Sequence, residues 1–264
     1  MENKIARSGS TSMVQKVAQD ELLNLLEPQM DSDDEEEALD EFCVDSNSKC
    51  ADCNSAKHVA WVSLNLGVFV CIGCSGVHRS LGSHVSKVRS VQLDTISASQ
   101  VLVLKRLGNQ VVNRIWEEKV ELAQAAKTEV AGKMEPAQTT KAREGFILNK
   151  YVNKTFMDMS VPIILADFLK AAITDDLPKL AWFVAHDVNL EARGPSLETA
   201  LHCAALAGNA SACEFLLLNG AKLDVVDAAG KTPLEVGKGA AVSVLQVWTE
   251  LGGGSKKVLI TEAI

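Results

Sequence analysis

The chain has 264 residues, 47% of them apolar and 23% charged, with a formal net charge of −8 and seven cysteines. That length holds one large domain or two of ordinary size, and the composition excludes fibrous and wholly disordered chains. No run of apolar residues is long enough for a membrane-spanning helix, Met1–Gln19 lacks an apolar signal core, and the acidic total argues against wholesale nucleic-acid binding.

Residues 1–42 are expected to be a polar, acidic and largely disordered segment. Val14, Val17, Ala18, Leu22, Leu25 and Leu26 space as a short amphipathic helix that ends before Pro28. Asp31–Glu41 then sets eight acidic residues in eleven positions, a self-repelling tract.

Cys50-Ala-Asp-Cys53 and Cys71-Ile-Gly-Cys74 are two C-x2-C knuckles separated by 17 residues. Each knuckle can turn two thiolates toward one point, so the pair predicts a closed, all-thiolate, structural zinc site. His58, His78 and His84 lie nearby but are not needed as ligands. With an odd cysteine count and no leader, a reducing cytosol suits the chain better than a disulfide framework.

Between the knuckles, Val59–Val70 is rich in β-branched and aromatic residues and predicts short strands. Ser75–Leu81 reads as a short helix broken at Gly82. Ser97 and Gln100 have capping-box spacing ahead of a helix over Val101–Leu107, which Gly108 can end. Val111, Val112, Ile115 and Trp116 give the next helix its apolar face. Residues 127–141 read as a loop, and Phe146–Phe156 resumes helical spacing.

From about residue 165 the chain repeats itself. Thr199-Ala-Leu-His-Cys-Ala204 recurs as Thr232-Pro-Leu-Glu-Val-Gly237 at an offset of 33 residues. This period and signature resemble ankyrin repeats, each a turn plus two helices. His202 is then expected to make local hydrogen bonds, with Leu177–Ala185 as the second helix of an earlier repeat. Val242–Leu251 keeps apolar residues where a polar cap is expected.

The stretch Cys71-Ile-Gly-Cys-Ser-Gly-Val-His-Arg-Ser-Leu-Gly-Ser-His-Val-Ser-Lys-Val-Arg-Ser90, taken with Cys50, Cys53, Trp61 and Leu93-Asp94, resembles the Arf GTPase-activating (ArfGAP) zinc domain. Gly108-Asn109, Asn113 and Tyr151-Val152 fit that family's helical half. Continuation into ankyrin repeats resembles the centaurin-β (ACAP) branch. The implied fold is an α+β ArfGAP domain over residues 43–163 packed against an all-α ankyrin stack of about two and a half repeats over 164–251, with a flexible tail over 252–264.

The resemblance implies a GTPase activator rather than an enzyme with its own catalytic cycle. One structural zinc would sit on Cys50, Cys53, Cys71 and Cys74. Arg79 would be the arginine finger acting on a GTP-bound Arf-family GTPase, with Trp61, Ile72, Lys87, Leu93 and Asp94 as contacts. The family's inter-knuckle spacing is usually one residue shorter, and the extra residue is assigned to the Asn54–Val59 loop. Lysine at 87 lacks the planar fork of the arginine that relatives often carry. An ankyrin-bound protein and an anionic membrane surface are further partners implied, at an endosomal or plasma membrane in the cytoplasm, with no nucleic acid.

Two other classes compete. GATA-like DNA-binding fingers share the knuckle spacing, but Lys57 is the one Lys or Arg between the knuckles, too little for phosphate contacts. A scaffold that keeps the fold and binds partners through its ankyrin face, without activity, is the nearer alternative. The charge is also unevenly divided. Residues 1–49 carry 4 basic and 13 acidic groups, residues 50–154 carry 14 and 8, and residues 155–264 carry 8 and 13. The middle is the basic part.

Overall fold

The computed structural model describes residues 17–18, 20–26, 46–120 and 139–252, and these divide after Pro162 into two units, each with its own core. The acidic tract, Cys43 and most of the loop expected over 127–141 lie outside the described residues.

In the first unit, β-branched residues build β1 (Val59–Ser63) and β2 (Val68–Cys71), which pair antiparallel with a bulge between Val59 and Trp61. A third strand not anticipated from the sequence, β3 (Val88–Ser90), pairs antiparallel with β1 and gives the order β2-β1-β3. Three residues reading Val-Arg-Ser carry too little alternation to announce a strand. Gly67 closes the β1–β2 connection at φ +77°, where a Cβ would stand 2.6 Å from Leu107 Cδ1. Both the backbone and the space therefore require glycine.

Helix α1 (Ile72–Ser80) leaves β2 without a break. It starts three residues earlier than the sequence suggests, because the second knuckle forms its first turn. Helix α2 (Ala98–Arg106) carries the expected Ser97/Gln100 capping box. Gly108, at φ +67°, separates it from α3 (Gly108–Trp116), and a Cβ there would meet the Asn47 side chain at 3.0 Å. Val112, Ile115 and Trp116 are buried as the periodicity predicts, while Val111 is half-buried.

Helix α4 (Thr140–Tyr151) ends before Phe156, correcting the expected extent of 146–156. Past the helix end Lys154 turns to φ +52°, and Phe156 packs back against Phe146 with ring centroids 5.3 Å apart. At the N-terminus, residues 20–24 are helical, with Ala18, Leu22 and Leu25 buried.

The second unit is built of helix pairs: α5 (Leu165–Ile173) with α6 (Leu177–Ala185), α7 (Ala200–Ala207) with α8 (Ala210–Leu218), and the short α9 (Pro233–Val236) with α10 (Gly239–Glu250). Thr199 and Thr232 both make capping boxes, which is the physical content of the 33-residue offset. His202 bonds Thr199 Oγ1 through Nδ1 at 2.9 Å and the Lys231 carbonyl through Nε2 at 3.0 Å, tying one repeat to the next. Val247 on α10 and Leu251 just past its end are exposed, in keeping with a sequence that offers no polar cap there.

Candidate functional site

The two knuckles converge. Cys50, Cys53, Cys71 and Cys74 are all buried, and their sulfurs lie within 4.8 Å of one another. The Cys53 and Cys71 sulfurs are 3.7 Å apart. Tetrahedral zinc with Zn–S bonds of about 2.3 Å sets neighbouring sulfurs about 3.8 Å apart, so the donor set has the right chemistry and spacing. The thiols also influence one another. Hydrogen bonds from Cys50 and then Cys74 outweigh the opposing bond to Cys71 and pull the Cys53 thiol down to about 7, whereas Cys74 is pushed up, first by its bond to Cys50. Four thiols so close do not ionise together by themselves, and a divalent cation is what makes them do so.

Local backbone explains the convergence. The Ala51 N–H donates to the Phe69 carbonyl at 2.9 Å, and the Asn54 N–H to the Cys50 carbonyl at 3.0 Å. The knuckle is thereby folded onto β2, whose last residue is Cys71. The loop that was assigned the extra residue holds two left-handed residues, Asn54 at φ +55° and His58 at φ +56°, and the sulfurs still meet.

Helix α1 has two faces. Cys74, Ser75, Val77 and His78 are buried, while Ile72, Gly76 and Arg79 are exposed along the other side. Ile72 and Arg79, seven residues apart, share that face at about 10 Å along the axis. The Arg79 guanidinium lies 4.4 Å from the Trp61 ring centroid, a cation–π contact with β1. Trp61 pairs with Ser90 across the sheet, and the Ser90 N–H donates to Asp94 Oδ2 at 2.6 Å. The Leu93 N–H donates to Ser90 Oγ at 3.2 Å. Trp61, Leu93 and Asp94 thus hang from one rung of the sheet, with one Asp94 oxygen committed to the turn. Leu93 and Ile72 are 84% and 60% exposed, and Leu93 has the highest exposure of the large apolar side chains among the described residues. Lys87 stands just before β3. Burial first and Arg89 second push its pKa down.

Sequence reasoning missed the polar cluster behind this face. Asp52, between the first two zinc ligands, is fully buried. It accepts from His78 Nε2 at 2.9 Å, from the Tyr151 hydroxyl at 3.0 Å and from Lys150 Nζ at 3.3 Å. Lys150, also fully buried, reaches Glu117 Oε1 and Asn113 Oδ1, each at 2.7 Å. Burial alone would push the Asp52 carboxyl up. Lys150 and then His78 outweigh that and draw it down to about 2. One signal was available: Lys150 shares a helical face with buried Phe146 and Ile147, and Glu117 follows Asn113 by one turn on a face with Trp116.

A buried ion that loses its partner costs about 3–5 kcal/mol, and here one ammonium serves two carboxylates. Lys150→Met is expected to lower the unfolding free energy of the first unit by about that much in urea titrations followed by near-ultraviolet dichroism. A loss below about 1 kcal/mol would show that the cluster rearranges freely.

Residues 36–160 match the family model described as "Putative GTPase activating protein for Arf". The first unit is an ArfGap domain. Residues 168–217 match the model for ankyrin repeats, so the ArfGap domain is followed by an ankyrin array. The chain is 36% identical over 149 residues to the probable ribosylation factor GTPase-activating protein cnt6 of Schizosaccharomyces pombe, covering 56% of this chain and 15% of that protein. It is 28% identical over 272 residues to the Arf-GAP with coiled-coil, ANK repeat and PH domain-containing protein 2 of Rattus norvegicus, covering 73% of this chain and 34% of the relative. The chain thus spans about a third or less of the length of these curated relatives. Among solved structures, the ArfGap domain of HIV-1 Rev binding protein aligns with a TM-score of 0.42 at 21% identity, over 58% of this chain and 95% of that one. Within the ArfGap domain the four thiolates hold one structural zinc ion.

Proposed function

We infer that this chain activates GTP hydrolysis by an Arf-family GTPase, with Arg79 entering the partner's active site as an arginine finger. In such a reaction the GTPase binds the nucleotide, magnesium and attacking water, and charge grows on the oxygens of the transferring phosphoryl group. An activator contributes a guanidinium there and holds it in place beforehand. The observation that carries the reading is the setting of Arg79. Its side chain is exposed on α1 and lies 4.4 Å over Trp61, while Cys74, five residues earlier, anchors the same helix in the thiolate cluster.

Exposed Ile72 and Leu93, with Trp61, supply an apolar docking surface around the finger, and Lys87 and Asp94 are its polar margin. The zinc fixes two knuckles and the root of α1, and the reacting atoms belong to the partner. The chain therefore acts as a regulator of another protein's catalytic cycle. The ankyrin repeats offer a protein-binding surface. The basic balance of residues 50–154 suits an anionic membrane, and six described cysteines that form no disulfide, four of them zinc ligands, suit the cytoplasm at an endosomal or plasma membrane.

The test is single-turnover hydrolysis of GTP preloaded on purified Arf proteins, with and without a molar excess of the full chain. Acceleration of about 10³-fold or more is expected. No acceleration of any Arf would overturn the reading in favour of a binding scaffold.

A further inference from the structure

A continuous buried hydrogen-bond chain runs behind the face that carries Trp61, Arg79 and Lys87. It starts at Asp52, inside the first zinc knuckle, and crosses the His78 ring: Nε2 meets Asp52 Oδ2 at 2.9 Å and Nδ1 meets Ser86 Oγ at 2.8 Å. Ser86 Oγ donates to Ser63 Oγ at 2.8 Å, and Ser63 Oγ to Asn65 Oδ1 at 3.2 Å. Asn65 Oδ1 also accepts the Lys87 N–H at 2.7 Å. Asp52, Ser63, Asn65, His78 and Ser86 are all buried, so bulk water does not compete for these bonds.

The chain touches the functional face at each of its supports. His78 immediately precedes Arg79, Ser86 immediately precedes Lys87, and Ser63 lies on the same strand as Trp61. Helix α1 is held from its buried face rather than from its N-terminal end. Its N-cap, Cys71, makes no side-chain capping bond, and its first turn has no acidic residue. Of its four buried side chains, Cys74, Ser75, Val77 and His78, two stand one turn apart and meet polar partners off the helix: Cys74 in the thiolate cluster and His78 between Asp52 and Ser86. Tyr151 limits the ring further, with centroids 5.0 Å apart.

We propose that His78 is the positioning residue for Arg79. Pinned between Asp52 and Ser86, its ring fixes the rotation of α1 and so the line along which the guanidinium leaves the surface. The proposal rests on the reading of Arg79 as the finger. Displacing a catalytic group by about 1 Å can cost about 100-fold in rate. Loss of this anchor should therefore act on the rate within the complex rather than on docking.

The experiment uses the full chain and titrates activator against GTP-loaded Arf in single turnover, giving a maximal rate and a half-saturating concentration. Zinc content and the melting curve are measured on every variant. His78→Asn keeps an amide near the Nδ1 position but falls short of Asp52; His78→Gln carries its amide nitrogen to the Nε2 position. His78→Asn is expected to lower the maximal rate about 10- to 100-fold with half-saturation changed less than about twofold, and His78→Gln to recover most of the loss. In an Arg79→Lys background His78→Asn should add nothing, because it acts through the finger.

A fully active His78→Asn overturns the inference, as does an equal loss on top of Arg79→Lys or a His78→Gln no better than Asn. If His78→Asn loses zinc or cooperative melting, Ser86→Ala takes its place. That change removes one oxygen from the far side of the ring and should lower the maximal rate about 3- to 10-fold, again only with Arg79 present. A fully active Ser86→Ala overturns the inference in that case. Wild type without acceleration brings down the activator reading and this inference together, whereas an active wild type with a fully active His78→Asn brings down this inference alone.

Discussion

Arg79→Lys will lower the single-turnover rate of Arf-catalysed GTP hydrolysis by about 10³- to 10⁵-fold, which corresponds to about 4–7 kcal/mol of barrier. The substitution keeps the positive charge and most of the side-chain length, so it tests geometry rather than net charge. A lysine ammonium is a point charge on a flexible stem. The guanidinium is a planar fork that can bond two phosphate oxygens at once and lie flat on an aromatic ring. Both properties matter here because Arg79 rests 4.4 Å over Trp61 in the free protein. Half-saturation should move far less than the maximal rate, since the apolar surface formed by Ile72 and Leu93 is untouched. A variant within about threefold of wild type at saturation would remove Arg79 from the finger role and leave the rest of the site standing.

Removal of zinc will unfold the ArfGap domain. Structural zinc sites contribute about 10–16 kcal/mol of apparent binding free energy at neutral pH, whereas whole domains are stable by about 5–15 kcal/mol. The sheet beneath the site has three strands, two of them four residues or shorter, and β2 runs straight through Cys71 into α1. Such a sheet does not carry a domain by itself. Titration with a strong chelator should release one zinc per chain and abolish both the cooperative melting of the ArfGap domain and the acceleration of Arf GTP hydrolysis proposed for it. Adding zinc back under reducing conditions should restore them. A stripped chain that keeps its melting transition would show that Asp52, His78 and Lys150 hold the knuckles without the metal.

What the sequence disclosed follows from the range of the interactions concerned. The C-x2-C knuckles, the Ser97/Gln100 box and the Thr199 and Thr232 caps are each written within four residues, so spacing alone reveals them. The exposure of Ile72 and Leu93 was to be expected only through the family motif, because nothing in the local spacing marks either side chain as outward-facing. The Asp52 cluster was invisible for the opposite reason. Asp52 and Lys150 are 98 residues apart, and each looks like an ordinary solvated charge until the fold brings them within 3.3 Å. Strand β3 depends on β1 in the same way, since Val88–Ser90 becomes a strand only where Ser63–Trp61 lies alongside.

The Asp52–Lys150–Glu117 cluster also bears on how this domain can diverge. Any single replacement among the three leaves a buried charge without its full complement, a step that costs a large part of a domain's stability. Replacing the whole set with apolar side chains of matching volume can be neutral, but only when the changes arrive together. Positions 52, 117 and 150 therefore form one epistatic unit, reached or abandoned as a group. Because Asp52 lies between two zinc ligands, that unit binds the drift of α3 and α4 to the fate of the metal site.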